Sequence, residues 1–310
     1  MKGADTHDPI TVVFASDDNY CQHLAVTILS LIEKNENEVL HLIVMSIGIN
    51  KLHKDRLGRI IEGKSLVSLQ FVELDSSSYR HFRVDGHISW AAYARIFIPD
   101  LVPPEIRKVL YLDCDLYVAD SIRPLWQTDI TAYPLAAVPV VHEAHKKSLG
   151  IPEDKNYVNS GVLLMNLDLW RSRNLTRKLI DYIENNAGLL KNWDQDALNA
   201  VLFDQIYALN PRWNVSNRTF KLTAEELKLR PEEHQSLKDK PGIVHFTTDY
   251  KPWDYLNPNP FTRHYWRILK TTPYRDYRPP LRSALKRLPP EYRPRTLLGK
   301  LWPKRVQRDG

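Results

Sequence analysis

At 310 residues, with 43% apolar and 26% charged residues, the chain has the make-up of a soluble globular protein and can bury a core in one large domain or two small ones. No apolar run approaches the roughly 18 residues of a membrane span, the polar start Met1-Lys2-Gly3-Ala4-Asp5 does not read as a signal peptide, and two cysteines, Cys21 and Cys114, argue against a disulfide framework and for a reducing cytoplasm. The net charge of +6 is concentrated: Arg275 to Gly310 holds eleven Lys/Arg against three Asp/Glu, or +8, which leaves −2 for residues 1–274 and gives the body no nucleic-acid-binding character.

Ile10 to Ala15 reads as a strand, and Cys21, Leu24, Ile28 and Leu31 recur behind it at helical spacing. Val39 to Ile47 reads as a second strand, Lys54 to Ile61 as a second helix and Val67 to Val72 as a third strand. The spacing predicts a helix over Ala91 to Phe97 that stops at Pro99. Val109 to Leu112 is a short apolar run, the signature of a strand buried on both faces of a parallel sheet. Leu135 to Val141 and Gly161 to Leu167 read as further central strands, the latter followed by a helix from Asp168 to Asn185 with Asp168 as its N-cap. Asp194 to Phe203 reads as a short helix and Ile243 to Phe246 as a strand. Strand–helix alternation with short connections implies an α/β fold with parallel pairing. From Tyr274 onward Pro and Arg dominate, so the expected division is a body over 1–273 and a basic, Pro-rich tail over 274–310.

The candidate chemistry sits at strand ends. Asp113 and Asp115 close the Val109–Leu112 run, at the edge where open α/β sheets bind ligands. Two like charges that close call for a cation, and a divalent metal with a bound diphosphate is the common solution. Asp17-Asp18-Asn19-Tyr20 follows the first strand, and reads equally as a helix cap and turn. There is no glycine-rich dinucleotide fingerprint and no P-loop. His245 ends a strand, and beside two carboxylates its imidazole suits Mn²⁺. Lys251 would bring a cation to whatever that metal holds. Asp194-Gln195-Asp196 falls on a helix, where neighbours one apart face different ways. The sequons at Asn174, Asn214 and Asn217 read as chance occurrences.

Taken together the chain resembles glycosyltransferase family 8, and within it bacterial lipopolysaccharide galactosyltransferases and glucosyltransferases. The likeness rests on Phe14-Ala15-Ser16-Asp17-Asp18-Asn19-Tyr20, Tyr93-Ala94-Arg95, the run ending Asp113-Cys114-Asp115, Asn159-Ser160-Gly161 through Leu167, Trp193-Asp194-Gln195-Asp196-Ala197-Leu198-Asn199, and His245 through Lys251-Pro252-Trp253. The resemblance implies the GT-A fold, Rossmann-like with a mostly parallel sheet, and retaining transfer of galactose or glucose from a UDP-sugar. By carry-over Asp113, Asp115 and His245 would hold Mn²⁺ (or Mg²⁺). Ala15, Asp17, Asn19 and Tyr20 would take the nucleoside. Cys114, Thr248 and Lys251 would lie along the diphosphate, and Arg95, Asn159, Asp194 and Gln195 would line the donor sugar. Gln195 falls where the family's nucleophile candidate lies. An amide is a poor nucleophile, which favours a front-face transfer, with Asp194 and Asp196 as the remaining catalytic candidates.

Two positions depart from the family's pattern: Thr248 stands where a glycine is usual, and Val140 where close relatives carry an acidic residue in the sugar pocket. They leave room for two other readings, a nucleotide-sugar-binding protein with impaired turnover and a glycogenin-like self-glucosylating transferase. The tail interleaves Arg282, Lys286, Arg287, Arg293, Arg295, Lys300, Lys304 and Arg305 with leucines, Tyr292 and Trp302. That pattern suits an anionic membrane surface, so a lipid-linked saccharide acceptor and a peripheral position on the cytoplasmic face of the inner membrane are expected.

Overall fold

The computed structural model describes residues 8–74, 91–140, 144–247, 251–254, 257 and 259–279. Among these the strands are β1 (Ile10–Asp17), β2 (Leu40–Ile47), β3 (Val67–Glu73), β4 (Lys108–Leu112), β5 (Leu116–Val118), β6 (Leu135–Pro139), β7 (Val158–Asn166), β8 (Ile206–Ala208), β9 (Val215–Ser216) and β10 (Ile243–His245). Seven form one sheet in the order β3-β2-β1-β4-β7-β6-β8, and three form a second in the order β5-β10-β9.

The continuous apolar runs of β1 and β4 reflect burial on both faces. Val12, Phe14, Leu110 and Leu112 enter one core with the helix Cys21–Lys34. Val13, Ala15, Val109 and Tyr111 enter the other, with the helices Leu175–Asn186 and Trp193–Leu202. Each large side chain so buried contributes about 1.5–3 kcal/mol. From β1 the chain runs outward through β2 and β3 on one side, while β4 pairs with the other side. The carboxyl ends of β1 and β4 therefore flank a topological switch point.

Parallel pairing holds for β3-β2-β1-β4 and for β6-β8, but β7 runs antiparallel to both neighbours. A short 3₁₀ helix, Ala144–Leu149, rather than a crossover helix joins β6 to β7, and antiparallel strands need no crossover. The reversal has a consequence for the site. Leu112 pairs with Val162, and the Asp113 amide donates to the Gly161 carbonyl at 2.9 Å, so the start of β7 lies against the end of β4.

The second helix starts at Lys51 and β7 at Val158, each three residues before the expected start, and three further boundaries differ from expectation. The helix expected over Asp168–Asn185 is two helices, Leu167–Ser172 and Leu175–Asn186, separated where Asn174 takes left-handed φ of 52°. Asn166, not Asp168, is the cap, accepting from the Leu169 amide at 3.1 Å; Asp168 pairs with Arg107 at 2.8 Å. Pro99 does not end helical structure but sits in the first turn of Ile98–Leu101, where its missing N–H costs nothing. At the other end Tyr274, assigned to the tail from composition, is buried and stacked on His53 with ring centroids 5.5 Å apart, and Tyr277 packs edge-on against His23. Aromatic burial thus extends the packed body past residue 273. Val141 and residues 280–310 lie outside the described residues, among which no helix is long and apolar enough to cross a membrane.

Candidate active site

One ligand atom each from Asp113, Asp115 and His245 can be chosen so that all lie within 4.8 Å of one another. Alternation at the end of β4 sends Asp113 and Asp115 to one side and Cys114 to the other, where its thiol donates to the Ala15 carbonyl at 3.0 Å. Cys114 thereby ties β4 to β1, and its side chain is turned away from the carboxylates. The turn Cys114–Leu116 is held from below by the helix Cys21–Lys34: Thr27 Oγ1 donates to the Cys114 carbonyl at 2.8 Å and accepts from the Leu116 amide at 3.3 Å. The second sheet delivers His245, whose register partners are Leu116 on β5 and Ser216 on β9.

Each carboxylate has one oxygen engaged outward and one turned inward. Asp113 Oδ1 accepts from Arg95 Nη2 at 3.0 Å and from Tyr111 Oη at 2.8 Å, while its Oδ2 lies 3.7 Å from His245 Nε2. Asp115 Oδ2 accepts from Lys251 Nζ at 2.5 Å, while its Oδ1 lies 3.3 Å from the same imidazole nitrogen. Burial alone would raise the Asp115 carboxyl, but Lys251 and His245 outweigh it and hold it well below the usual carboxylate range. Two inward oxygens and one imidazole nitrogen form a donor set suited to Mn²⁺ or Mg²⁺.

Two neighbours make that set possible. Asn214 Oδ1 lies 3.0 Å from His245 Nδ1 and Asn214 Nδ2 donates to Asn159 Oδ1 at 2.7 Å, so Asn214 presents its oxygen to an Nδ1–H and leaves the Nε2 lone pair for a ligand. Gly161 supplies room: a Cβ there would stand 2.2 Å from His245 Cε1 and 2.7 Å from Asp113 Oδ2. The residues present therefore fit a divalent ion. Asn214→Leu is expected to weaken Mn²⁺ binding roughly 10–100-fold, read by calorimetric titration; unchanged affinity would show that the imidazole needs no such orientation.

The sequence profile for Glycosyl transferase family 8 matches residues 11–257. The chain belongs to glycosyltransferase family 8. It is 35% identical over 267 residues to general stress protein A of Bacillus subtilis, spanning 84% of this chain and 93% of that protein. Identity to the lipopolysaccharide 1,2-glucosyltransferase of Escherichia coli is 24% over 287 residues, 90% of this chain and 83% of that enzyme. The solved structure of the galactosyltransferase LgtC with donor and acceptor sugar analogues superposes with a TM-score of 0.77 at 25% identity, covering 85% of this chain and 96% of that one. The fold is GT-A, with its mostly parallel sheet.

Around the triad of this family 8 enzyme, the remaining sequence candidates fall into three groups. Beside β1, Asp17 accepts from the Asn19 amide at 3.0 Å, the capping role the local sequence also allowed, and Tyr20 stands edge-on to Trp253. Tyr20 lies close enough to Asp115 for that charge to add to burial in raising its hydroxyl pKa. Below the metal ligands, Arg95 is buried as a strut. It contacts Asp113 and the Ser160 carbonyl, and lies over the Tyr111 ring at 4.6 Å. Its Nε is 3.0 Å from Asp194 Oδ2 but donates to the Ala92 carbonyl, so that buried oxygen has no hydrogen bond. Beyond it, Gln195 Oε1 accepts from Asn159 Nδ2 at 2.9 Å and from the Ser160 amide at 3.1 Å, and its Nε2 donates to Tyr157 Oη. Val140 packs by the Leu149, Ile151 and Tyr157 cluster. Thr248 lies outside the described residues.

Burial pushes the Asp194 carboxyl up to about 6, against the pull of Arg95. Between about pH 4 and 6 the folded state keeps a proton that the unfolded chain has released. Stability is therefore lost as pH rises through that window, by roughly 3 kcal/mol if Asp194 acts alone. Denaturant unfolding of the parent and of Asp194→Asn from pH 4 to 7 should show the loss in the parent only; parallel curves would remove the assignment.

Asp196 is enclosed by hydrogen-bonding neighbours. It is fully buried, and its oxygens accept from the amides of Lys191 and Asn192 at 2.7 and 2.8 Å and from Tyr157 Oη, with His145 Nε2 at 3.0 Å. The residues that sequence reasoning missed are Asn214, dismissed as part of a sequon, and Gly161, quoted but given no role. An isolated glycine inside a strand is a recognised mark of close approach. Asn214 carries no local signal; burial on His245 is its only one.

Proposed function

We propose that this enzyme transfers a hexose, galactose or glucose, from a UDP-sugar to a saccharide acceptor with retention of configuration and with Mn²⁺ as its metal. The observation that carries the reading is the convergence of one inward atom each from Asp113, Asp115 and His245 beside the ends of β1 and β4. Likeness to enzymes that act on lipopolysaccharide and bind donor and acceptor sugar analogues supports the substrate class.

When bound, the divalent ion supplies Lewis-acid neutralisation of a diphosphate. The chain's own groups do the rest. Ala15, Asp17, Asn19 and Tyr20, at the end of β1, receive the nucleoside. Lys251, held between Asp115 and the Phe246 carbonyl, offsets negative charge as the bond from sugar C1 to phosphate oxygen breaks. Gln195 and Asn159, fixed by their mutual bond, position the sugar, with Arg95 and Asp194 behind them. Gln195 offers no free nucleophile, since its oxygen already accepts two hydrogen bonds and amides react poorly. The acceptor hydroxyl therefore bonds to C1 from the side the phosphate leaves, and its proton passes to the leaving phosphate oxygen. Double displacement through Asp196 is disfavoured because attack would strip five hydrogen bonds from a fully buried carboxylate.

Asp196→Asn accordingly should lower kcat less than about tenfold while costing roughly 1–3 kcal/mol of stability through its buried network. A kcat loss of several thousandfold in a folded variant would restore Asp196 as nucleophile. The reading as a whole is tested by screening UDP-sugars for UDP release with Mn²⁺ and with a chelator. Metal-dependent hydrolysis of UDP-galactose or UDP-glucose is expected; no hydrolysis of any UDP-sugar would refute it. The acceptor is proposed to be a lipid-linked glycan, reached from an anionic membrane surface that residues 282–310, outside the described residues, would engage.

A further inference from the structure

A basic cleft of about 630 Å³ opens between the segment Arg56–Lys64 and the turn Thr271–Asp276, away from the metal ligands' own strands. Its cations are Arg56, Arg59, Lys64 and Arg275; its carboxylates are Glu33 and Asp276. Among the described residues none of the four cations has an ion pair. Arg56 lies over the Tyr274 ring at 5.5 Å, and Glu33 faces Arg267 at 3.9 Å. Arg59, Lys64 and Arg275 are exposed. Four cations against two carboxylates leave the cleft with a net positive field.

Two further features select the partner. Outside the cleft lining, two exposed leucines lie close to its cations in sequence: Leu52, on the same helix as Arg56, is 57% exposed, and Leu66, two residues from Lys64, is 41% exposed. Apolar side chains beside unpaired basic ones match an interface with anionic headgroups above and acyl chains below. From Arg275 the chain continues through Tyr277, packed on His23, to residue 279, so only a short stretch separates the cleft from the remaining basic and apolar side chains of the C-terminal segment.

We propose that the Arg56–Arg59–Lys64–Arg275 cleft is a docking surface for anionic phospholipid, so that the folded body, and not the C-terminal segment alone, holds the enzyme on the membrane. This rests on the membrane reading above and extends it to named residues of the body. It also sets orientation, because two contacts resist rotation about the surface where one does not.

The experiment is partition of the full-length chain onto vesicles of phosphatidylcholine with and without phosphatidylglycerol. Three variants are compared with the parent: a body variant (R56Q, R59Q, K64Q, R275Q), a reduced body variant (R59Q, K64Q) that keeps Arg56 on Tyr274, and a tail variant with Arg282, Lys286, Arg287, Arg293, Arg295, Lys300, Lys304 and Arg305 changed to glutamine. The body variant should lose phosphatidylglycerol-dependent binding by on the order of a thousandfold, the reduced one by about thirtyfold, with unchanged melting temperature for the reduced variant. The tail variant should keep residual binding that disappears when the body substitutions are added. Parent-like binding by both body variants overturns the proposal even if the tail variant no longer binds, an outcome that leaves the tail reading intact. Failure of the parent to distinguish the two vesicle types sinks both. Calorimetry with inorganic phosphate closes the other route: tight phosphate binding lost in the body variant, with vesicle binding unchanged, would make the cleft a small-anion site instead.

Discussion

Asp115→Ala is expected to lower kcat/KM for sugar transfer by about a thousandfold or more while the protein still folds. Asp115 supplies one of the two inward oxygens and also holds Lys251. On the proposed function, its loss would remove a metal ligand and release Lys251, the cation assigned to the leaving phosphate. Several kcal/mol of charge stabilisation go with a catalytic metal, and about 4 kcal/mol corresponds to three orders of magnitude. Folding should survive, because the turn it sits on is held by backbone contacts to Thr27 and by the Phe246 amide on the Asp115 carbonyl at 3.1 Å. Mn²⁺-dependent UDP release and a thermal melt decide the matter together. A folded variant working at the parent rate would show that the ion is held elsewhere.

Gly161→Ala should be nearly as damaging, although it adds a single methyl and removes no functional group. That carbon would sit 2.2 Å from His245 Cε1 and 2.7 Å from Asp113 Oδ2, well inside contact distance. Neither side can yield cheaply. β7 is clamped between β4 and β6, and His245 is fixed by β10 pairing and by Asn214. Overpacking of this kind costs about 1–3 kcal/mol, and relief must come from moving the imidazole or the carboxylate off the shared point. The expected result is a rise in the Mn²⁺ concentration needed for half-maximal activity of at least about a hundredfold. Gly188→Ala, with nothing within 4 Å of the added carbon, serves as the neutral comparison. Parent-like metal dependence in Gly161→Ala would mean that the triad is not the metal centre.

The membrane proposal and the catalytic proposal can fail separately. The cleft cations are not among the residues assigned to the nucleotide, metal or sugar, so vesicle partition and donor hydrolysis report on different sets of residues.

The order of the long elements through β7, and the positions of the carboxylates at a ligand-binding edge, were legible from local pattern, whereas the short strands β5, β8 and β9 and the helices Pro231–Asp239 and Thr262–Thr271 were not anticipated. Buried strands produce unbroken apolar runs such as Val109–Leu112, and a charged pair immediately after one has few structural uses. Local pattern failed where a long-range choice decided the outcome. The direction of β7 depends on whether its connection packs as a crossover, which its composition does not encode. The break at Asn174 and the cap at Asn166 depend on where neighbouring elements permit a turn. Tyr274 sits in a proline-rich stretch, and only the presence of His53 and Arg56 opposite it makes burial favourable.

The linear sequence by itself determined the α/β class, the carboxylate pair at the end of β4 and the family likeness, because these rest on short-range periodicity and on motifs a few residues long. Only the tertiary structure decided which oxygen of each carboxylate faces inward, that Asn214 orients His245, that Gly161 must lack a side chain, and that Asp196 is spent on internal hydrogen bonds. Many of the contacts behind those facts join residues some 30 to 130 positions apart in the chain. Distances of that kind are set by how two sheets and their helices exclude water together, a property of the packed whole that no local stretch contains.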